Sequence, residues 1–107
     1  MPIIKVFQNK EQLDTAFTEK TIRVIRIGER KVCLAKHGQA FFCFEHLCPH
    51  QMHPLSEGQI TAFGELVCPL HEYRFSLKNG AEANGRCREL KTFRVDINEE
   101  GVFINLF

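Results

Sequence analysis

Apolar and polar residues alternate along most of this chain in short runs, and glycine, asparagine and other turn residues separate them. Residues 3–7 read as a first strand. Asn9-Lys10-Glu11-Gln12 has the form of a capping box, which predicts a short helical turn with Leu13, Ala16 and Phe17 on one face. Residues 21–27 set Ile22, Val24, Ile25 and Ile27 against Arg23 and Arg26, and Gly28-Glu29 turns the chain into a partner strand at 31–36. His37-Gly38-Gln39 makes a second turn and residues 40–44 a third apolar strand. Residues 58–61 and 65–67 pair around Ala62-Phe63-Gly64. Residues 73–77, the Asn79-Gly80 turn, and strands at 92–97 and 102–106 around Asn98-Glu99-Glu100-Gly101 complete an antiparallel all-β pattern. It contains no internal repeat, linker or low-complexity run.

Two places do not belong to this alternation. Cys48-Pro49-His50 and Cys68-Pro69-Leu70-His71 together read C-x-H-x17-C-x2-H, so each of two tight turns offers one thiolate and one imidazole. Four such donors suit a metal centre, either a tetrahedral zinc ion or a [2Fe–2S] cluster with two thiolates and two imidazoles. Classical zinc fingers place both cysteines together and both histidines together. Here each turn carries one of each, which two facing loops spanning a pair of irons accommodate directly.

On these residues the chain resembles the Rieske-type [2Fe–2S] proteins, of the small soluble ferredoxin kind. Cys48-Pro49-His50 continues through Pro54-Leu55-Ser56-Glu57-Gly58, similar to the family's first loop and its exit. Cys68-Pro69-Leu70-His71 continues into Tyr73-Arg74-Phe75-Ser76-Leu77-Lys78-Asn79-Gly80, similar to its second, and Leu90-Lys91-Thr92-Phe93-Arg94-Val95 resembles the strand after it. The resemblance covers about residues 20–107. It implies an antiparallel Rieske-like β-sandwich as one domain, 1–107, with a small cluster-binding subdomain at about 45–76. It also implies one [2Fe–2S] cluster per chain, with Cys48, His50, Cys68 and His71 as cofactor and metal ligands. The family places glycine where this chain has Met52 and Glu72, so the loops are expected to be strained or to follow another path.

Replacing two thiolates by neutral imidazoles leaves an oxidised cluster formally neutral rather than doubly negative, and its reduction is easier. Such centres lie at about −150 to +300 mV, against about −400 mV for plant-type ferredoxins. High-potential relatives add a cysteine to each loop, joined as a disulfide, and hydrogen-bonding groups near the sulfurs. This chain has His53 and Leu70 where those cysteines fall and Tyr73 where a serine falls, which implies a low-potential, ferredoxin-like centre. An ionised Glu72 pushes the same way.

Composition narrows the rest. The 107 residues are one domain's worth, with 44% hydrophobic residues and ten phenylalanines for a modest core. Phe41, Phe42, Phe44, Phe63 and Phe75 are read as core residues that shield the site. A net charge of +1 without a basic or acidic run gives no reason to expect nucleic acid as a partner. No run approaches the ~20 apolar residues that span a bilayer, and the first residues lack a signal-peptide pattern, so a cytoplasmic protein with no membrane partner is expected. Five cysteines form no secreted disulfide framework. Cys33 and Cys43 read as small buried hydrophobes, and Cys87 as an ordinary loop thiol whose neighbouring arginines could lower its pKa. His37, His46 and His53 read as turn, packing and loop residues. Nothing marks a nucleophilic Cys–His pair, since there is no third orienting group.

The expected function is therefore one-electron transfer between a reductase and an oxygenase or other terminal acceptor. With Phe107 as its last residue, the chain is expected to be an electron-transfer component rather than an enzyme. The small subunit of an assimilatory nitrite reductase is an alternative within the same resemblance, and a zinc-stabilised β domain that binds a partner protein is an alternative outside it.

Overall fold

The computed structural model describes residues 3–49, 52–70 and 72–106. Strand β1 (Ile3–Phe7) is followed by helix α1 (Lys10–Ala16), then β2 (Ile22–Ile27), β3 (Arg30–His37) and β4 (Ala40–Glu45). A 3-10 turn at Leu55–Glu57 leads to β5 (Gln59–Ile60), β6 (Glu65–Val67) and β7 (Arg74–Ser76), and the chain closes with β8 (Thr92–Asn98) and β9 (Gly101–Asn105). The architecture is the all-β, antiparallel one that the alternation predicts.

The strands form a six-stranded sheet ordered β1-β9-β8-β4-β3-β2 and a three-stranded sheet ordered β5-β6-β7. Both turns of the β2-β3-β4 meander are two residues long, with Ile27 facing Arg30 and His37 facing Ala40. Gly28 and Gly38 begin them at φ +63°, a conformation that a β-carbon disfavours. β4 meets β8 at only two register pairs, Cys43 with Phe93 and Phe44 with Thr92, so the large sheet is joined across a narrow seam.

Strand β3 is buried without a break from Val32 to Ala35 because both of its faces are covered. Val32 and Leu34 point into one apolar cluster with Leu13, Phe17, Phe41, Val102 and Ile104. Cys33 and Ala35 point into the other, with Phe44, Leu55, Leu66, Phe75 and Leu90. Helix α1 closes the first cluster, and Phe17 meets the rings of Phe7 and Phe41 edge-on at 6.2 and 5.8 Å. Its cap is a variant of the expected box. Asn9 accepts from the Gln12 N–H at 2.8 Å, but the Gln12 side chain reaches back to the N–H of Gln8. The second cluster lies beneath the three-stranded sheet and both Cys-Pro turns.

Phe63 departs from its expected place in the core. It is 90% exposed, at the tip of the β5–β6 turn. There the chain reverses through Gly64 at φ +79°, with the Ala62 carbonyl 3.1 Å from His37 Nε2.

Candidate metal centre

Two turns carry the cysteine and histidine motif, and their described residues repeat one another at entry and exit. The Cys48 N–H donates to the His53 carbonyl at 2.9 Å, and the Cys68 N–H donates to the Tyr73 carbonyl at 2.9 Å, five residues on in each case. The fourth residue after each cysteine is left-handed, Met52 at φ 55° and Glu72 at φ 53°. The residue before each cysteine pairs with the residue six beyond it, Leu47 with Pro54 and Val67 with Arg74. Met52 and Glu72 therefore keep the left-handed backbone that glycine favours, and they carry the strain instead of taking another path.

The cysteines lie beneath these turns. Cys48 and Cys68 are both fully buried in the second apolar cluster. Burial pushes the Cys68 thiol up to about 11, against an N–H of Leu70 aimed at its sulfur and with a further push from the Cys48 thiol hydrogen-bonded beside it. Two sulfurs from two loops thus meet in one apolar place with a backbone donor directed at one of them. His50 and His71 lie outside the described residues. The surface over the turns is mixed: Met52 is 62% and Leu70 38% exposed, and the hollow that Cys68 and Pro69 line also holds Glu57, Gln59 and Glu72.

The other thiols separate into two kinds. Cys33 and Cys43 are buried, and burial raises both to about 12, which fits small hydrophobes. Cys87 packs against the cluster that holds Cys48 and Cys68, and its pKa is raised rather than lowered, by burial first and then by Cys48 and Glu82. Arg86 and Arg88 each pull it down but are outweighed by burial and by Cys48 and Glu82; Arg86 pairs with Glu82 at 2.9 Å and Arg88 with Glu45 at 2.8 Å. His46 Nδ1 lies 3.9 Å from the Cys33 sulfur, and His53 Nε2 lies 3.2 Å from Glu57 Oε1.

Sequence reasoning missed Glu82 and Arg86. Glu82 is the single buried charged residue among the described residues, and Arg86 stacks on the Tyr73 ring at 3.8 Å from its centroid. Their four-residue spacing was the available signal, but it is a helix spacing and the segment is not helical.

The donor set fits a cluster with mixed ligands, since buried thiols from two equivalent loops are brought together within an apolar shell. Comparison with known proteins agrees. The sequence profile of the Rieske [2Fe-2S] domain matches residues 5–94. The ferredoxin component of an alkene monooxygenase system from Xanthobacter autotrophicus is 36% identical over 81 residues, 76% of this chain and 66% of that protein. Ferredoxin CarAc of Metapseudomonas resinovorans is 32% identical over 84 residues, 77% of each chain. A solved complex of reduced oxygenase and oxidised ferredoxin in carbazole 1,9a-dioxygenase superposes with a TM-score of 0.77 at 27% identity, over 95% of this chain and 91% of that one. Both sequence relatives are ferredoxins, carriers rather than catalysts.

Proposed function

The chain belongs to the Rieske [2Fe–2S] family, and from that premise we propose that Cys48, His50, Cys68 and His71 hold its [2Fe–2S] cluster and that residues 45–76 form the part of the single domain built for it. When bound, the cluster supplies reversible uptake of one electron. The protein's own groups do the rest. Leu13, Phe17 and the six-stranded sheet give a rigid base, the paired Cys-Pro turns set the two thiols side by side, and the Leu70 N–H stabilises negative charge at the Cys68 sulfur. Apolar packing by Leu55, Leu66 and Phe75 keeps water from the sulfurs.

In this reading the protein shuttles an electron from a reductase to an oxygenase or another terminal acceptor, in the cytoplasm. No helix among the described residues is long and apolar enough to cross a membrane. His53 and Leu70 stand where a second pair of cysteines would bridge the loops, which favours the low-potential end of the family's range. The single observation that carries the proposal is that two turns repeat the same cysteine N–H bond and left-handed residue, with both cysteines buried and adjacent.

Metal and sulfide analysis of the purified protein tests it. About two irons and two sulfides per chain are expected, with visible charge-transfer bands and a rhombic EPR signal after dithionite, and Cys68→Ser is expected to abolish all of these. A colourless protein with one zinc per chain would overturn the proposal in favour of a structural metal. Reduction of the protein by a ferredoxin reductase, followed by reoxidation with an added oxygenase, checks the carrier role.

A further inference from the structure

Beyond the two turns, the segment after β7 folds back over the second of them. Ser76 N–H donates to the Ala81 carbonyl and Ala83 N–H to the Arg74 carbonyl, both at 2.9 Å, so residues 81–83 add a short rung beside β7. The chain then places Glu82 with no side-chain exposure. Its Oε1 accepts from the N–H of Asn84 at 3.0 Å, the N–H of Arg86 at 2.8 Å and Arg86 Nε at 3.3 Å, and its Oε2 accepts from Arg86 Nη2 at 2.9 Å. The guanidinium so held lies over the Tyr73 ring, and the Tyr73 carbonyl is the acceptor for the Cys68 N–H. Glu82, Arg86, Tyr73 and Cys68 are thus linked in one chain of contacts.

Burying a carboxylate is a poor way to stabilise a loop, because its desolvation offsets most of what its partners return, and an apolar residue of similar size does as well. What the arrangement does achieve is to fix a guanidinium in place. Arg86 hydrogen bonds hold the Glu82 carboxyl down to about 2, so both partners stay charged through the ordinary pH range. A fixed positive charge beside a redox centre favours the added electron, and a fixed negative charge opposes it.

We propose that Arg86 is a positioning residue for the second ligand loop and that the Arg86–Glu82 pair sets the reduction potential of the centre held there. This rests on Cys68 being a cluster ligand. Arg86 touches the loop on the Tyr73 ring, and Glu82 holds Arg86 there. Both members act on the same equilibrium with opposite sign, which no purely structural role requires.

The test is direct electrochemistry and EPR on the cluster-loaded wild type, Arg86→Met, Arg86→Lys and Glu82→Gln. Arg86→Met is expected to shift the reduction equilibrium at least about threefold against the reduced form, a tenfold shift being about 59 mV for one electron. Glu82→Gln is expected to shift it the other way. Arg86→Lys is expected to hold the potential near wild type while altering the EPR anisotropy, because it keeps the charge and loses the planar stack. Should Arg86→Met fail to fold, the other two variants carry the test. Reduction equilibria of Arg86→Met and Glu82→Gln that stay within about 1.5-fold of wild type, or that move in the same direction, would overturn the proposal, as would an Arg86→Lys equilibrium that moves as far as that of Arg86→Met. A wild type that binds no cluster would instead remove the reading of Cys68 on which it rests.

Discussion

The turns that begin at Cys48 and Cys68 share the same backbone bonds at entry and exit but stand in unlike surroundings. The second turn closes the ladder between β6 and β7, which has three register pairs and is backed by residues 81–83 and by Arg86 on Tyr73. The first closes a single bridge, Leu47 with Pro54, with a further bond from the Leu55 N–H to the His46 carbonyl at 2.8 Å. Local hydrogen bonding dictates the shape of each turn, and the neighbourhood dictates how firmly each is held. The first turn borrows its firmness from the second. Its exit at Gly58 lies so close to the strand entering the second turn that a β-carbon there would overlap the Val67 carbonyl oxygen and lie 3.1 Å from that of Leu55. Gly58 has φ −80°, so the glycine serves close approach rather than an unusual backbone.

The largest expected effect follows from that contact. Gly58→Ala must push the two turns apart, since the overlapping atom is backbone and cannot rotate away, at an expected cost of about 3 kcal/mol. Urea denaturation and iron content are expected to fall together. A variant of normal stability that retains its iron would show that the first turn is held by its own bonds.

Acid should loosen the second turn first. The Arg86 hydrogen bonds lower Glu82 from its usual 4.5 to about 2, so its contribution is present above pH 4.5 and is lost as pH falls toward 2. Glu82→Gln should flatten that part of the stability curve, measured by thermal denaturation across the acid range. An unchanged acid limb in the variant would mean that Glu82 does not hold the second turn.

This difference between the turns also marks what the sequence could and could not convey. The strands were legible because alternation, two-residue turns and the glycines at 28 and 38 agree with one another. The turns were legible from their repeated Cys-Pro motif, and the left-handed path at positions 52 and 72 was the one that glycine in relatives implies. Surroundings were not legible. Glu82 and Arg86 sit four apart in a segment with Gly85 and no periodicity, so nothing in the string announces a buried pair. Cys87 lies between two arginines whose pull is outweighed by burial, by Cys48 and by Glu82, and those two arginines pair with Glu82 and Glu45, partners four and 43 residues away. Phe63 has a core residue's chemistry, and only the turn's direction puts it outside.

The shared left-handed residue predicts equal relief of strain. A left-handed non-glycine residue costs roughly 1–2 kcal/mol, and glycine returns about half of that as extra freedom in the unfolded chain. Met52→Gly and Glu72→Gly are therefore each expected to gain about 0.5–1 kcal/mol in denaturant melts. A gain at one position alone would break the equivalence of the two turns.

The smallest effect is expected at the fifth residue after each cysteine, where the turns differ most. In the second turn that residue is Tyr73, lying under the guanidinium of Arg86. In the first it is His53, whose ring among the described residues meets Glu57, a carboxylate whose side chain is 63% exposed. Solvent screens such a pair, so His53→Gln should cost less than about 0.5 kcal/mol. Tyr73→Leu should cost more, because it removes a half-buried ring from the stack and from the apolar cluster around the sulfurs. Thermal denaturation of the two variants side by side decides the matter. If His53→Gln is the more damaging, the first turn is clamped by its own side chain, and its dependence on Gly58 and the second turn is lost as an explanation.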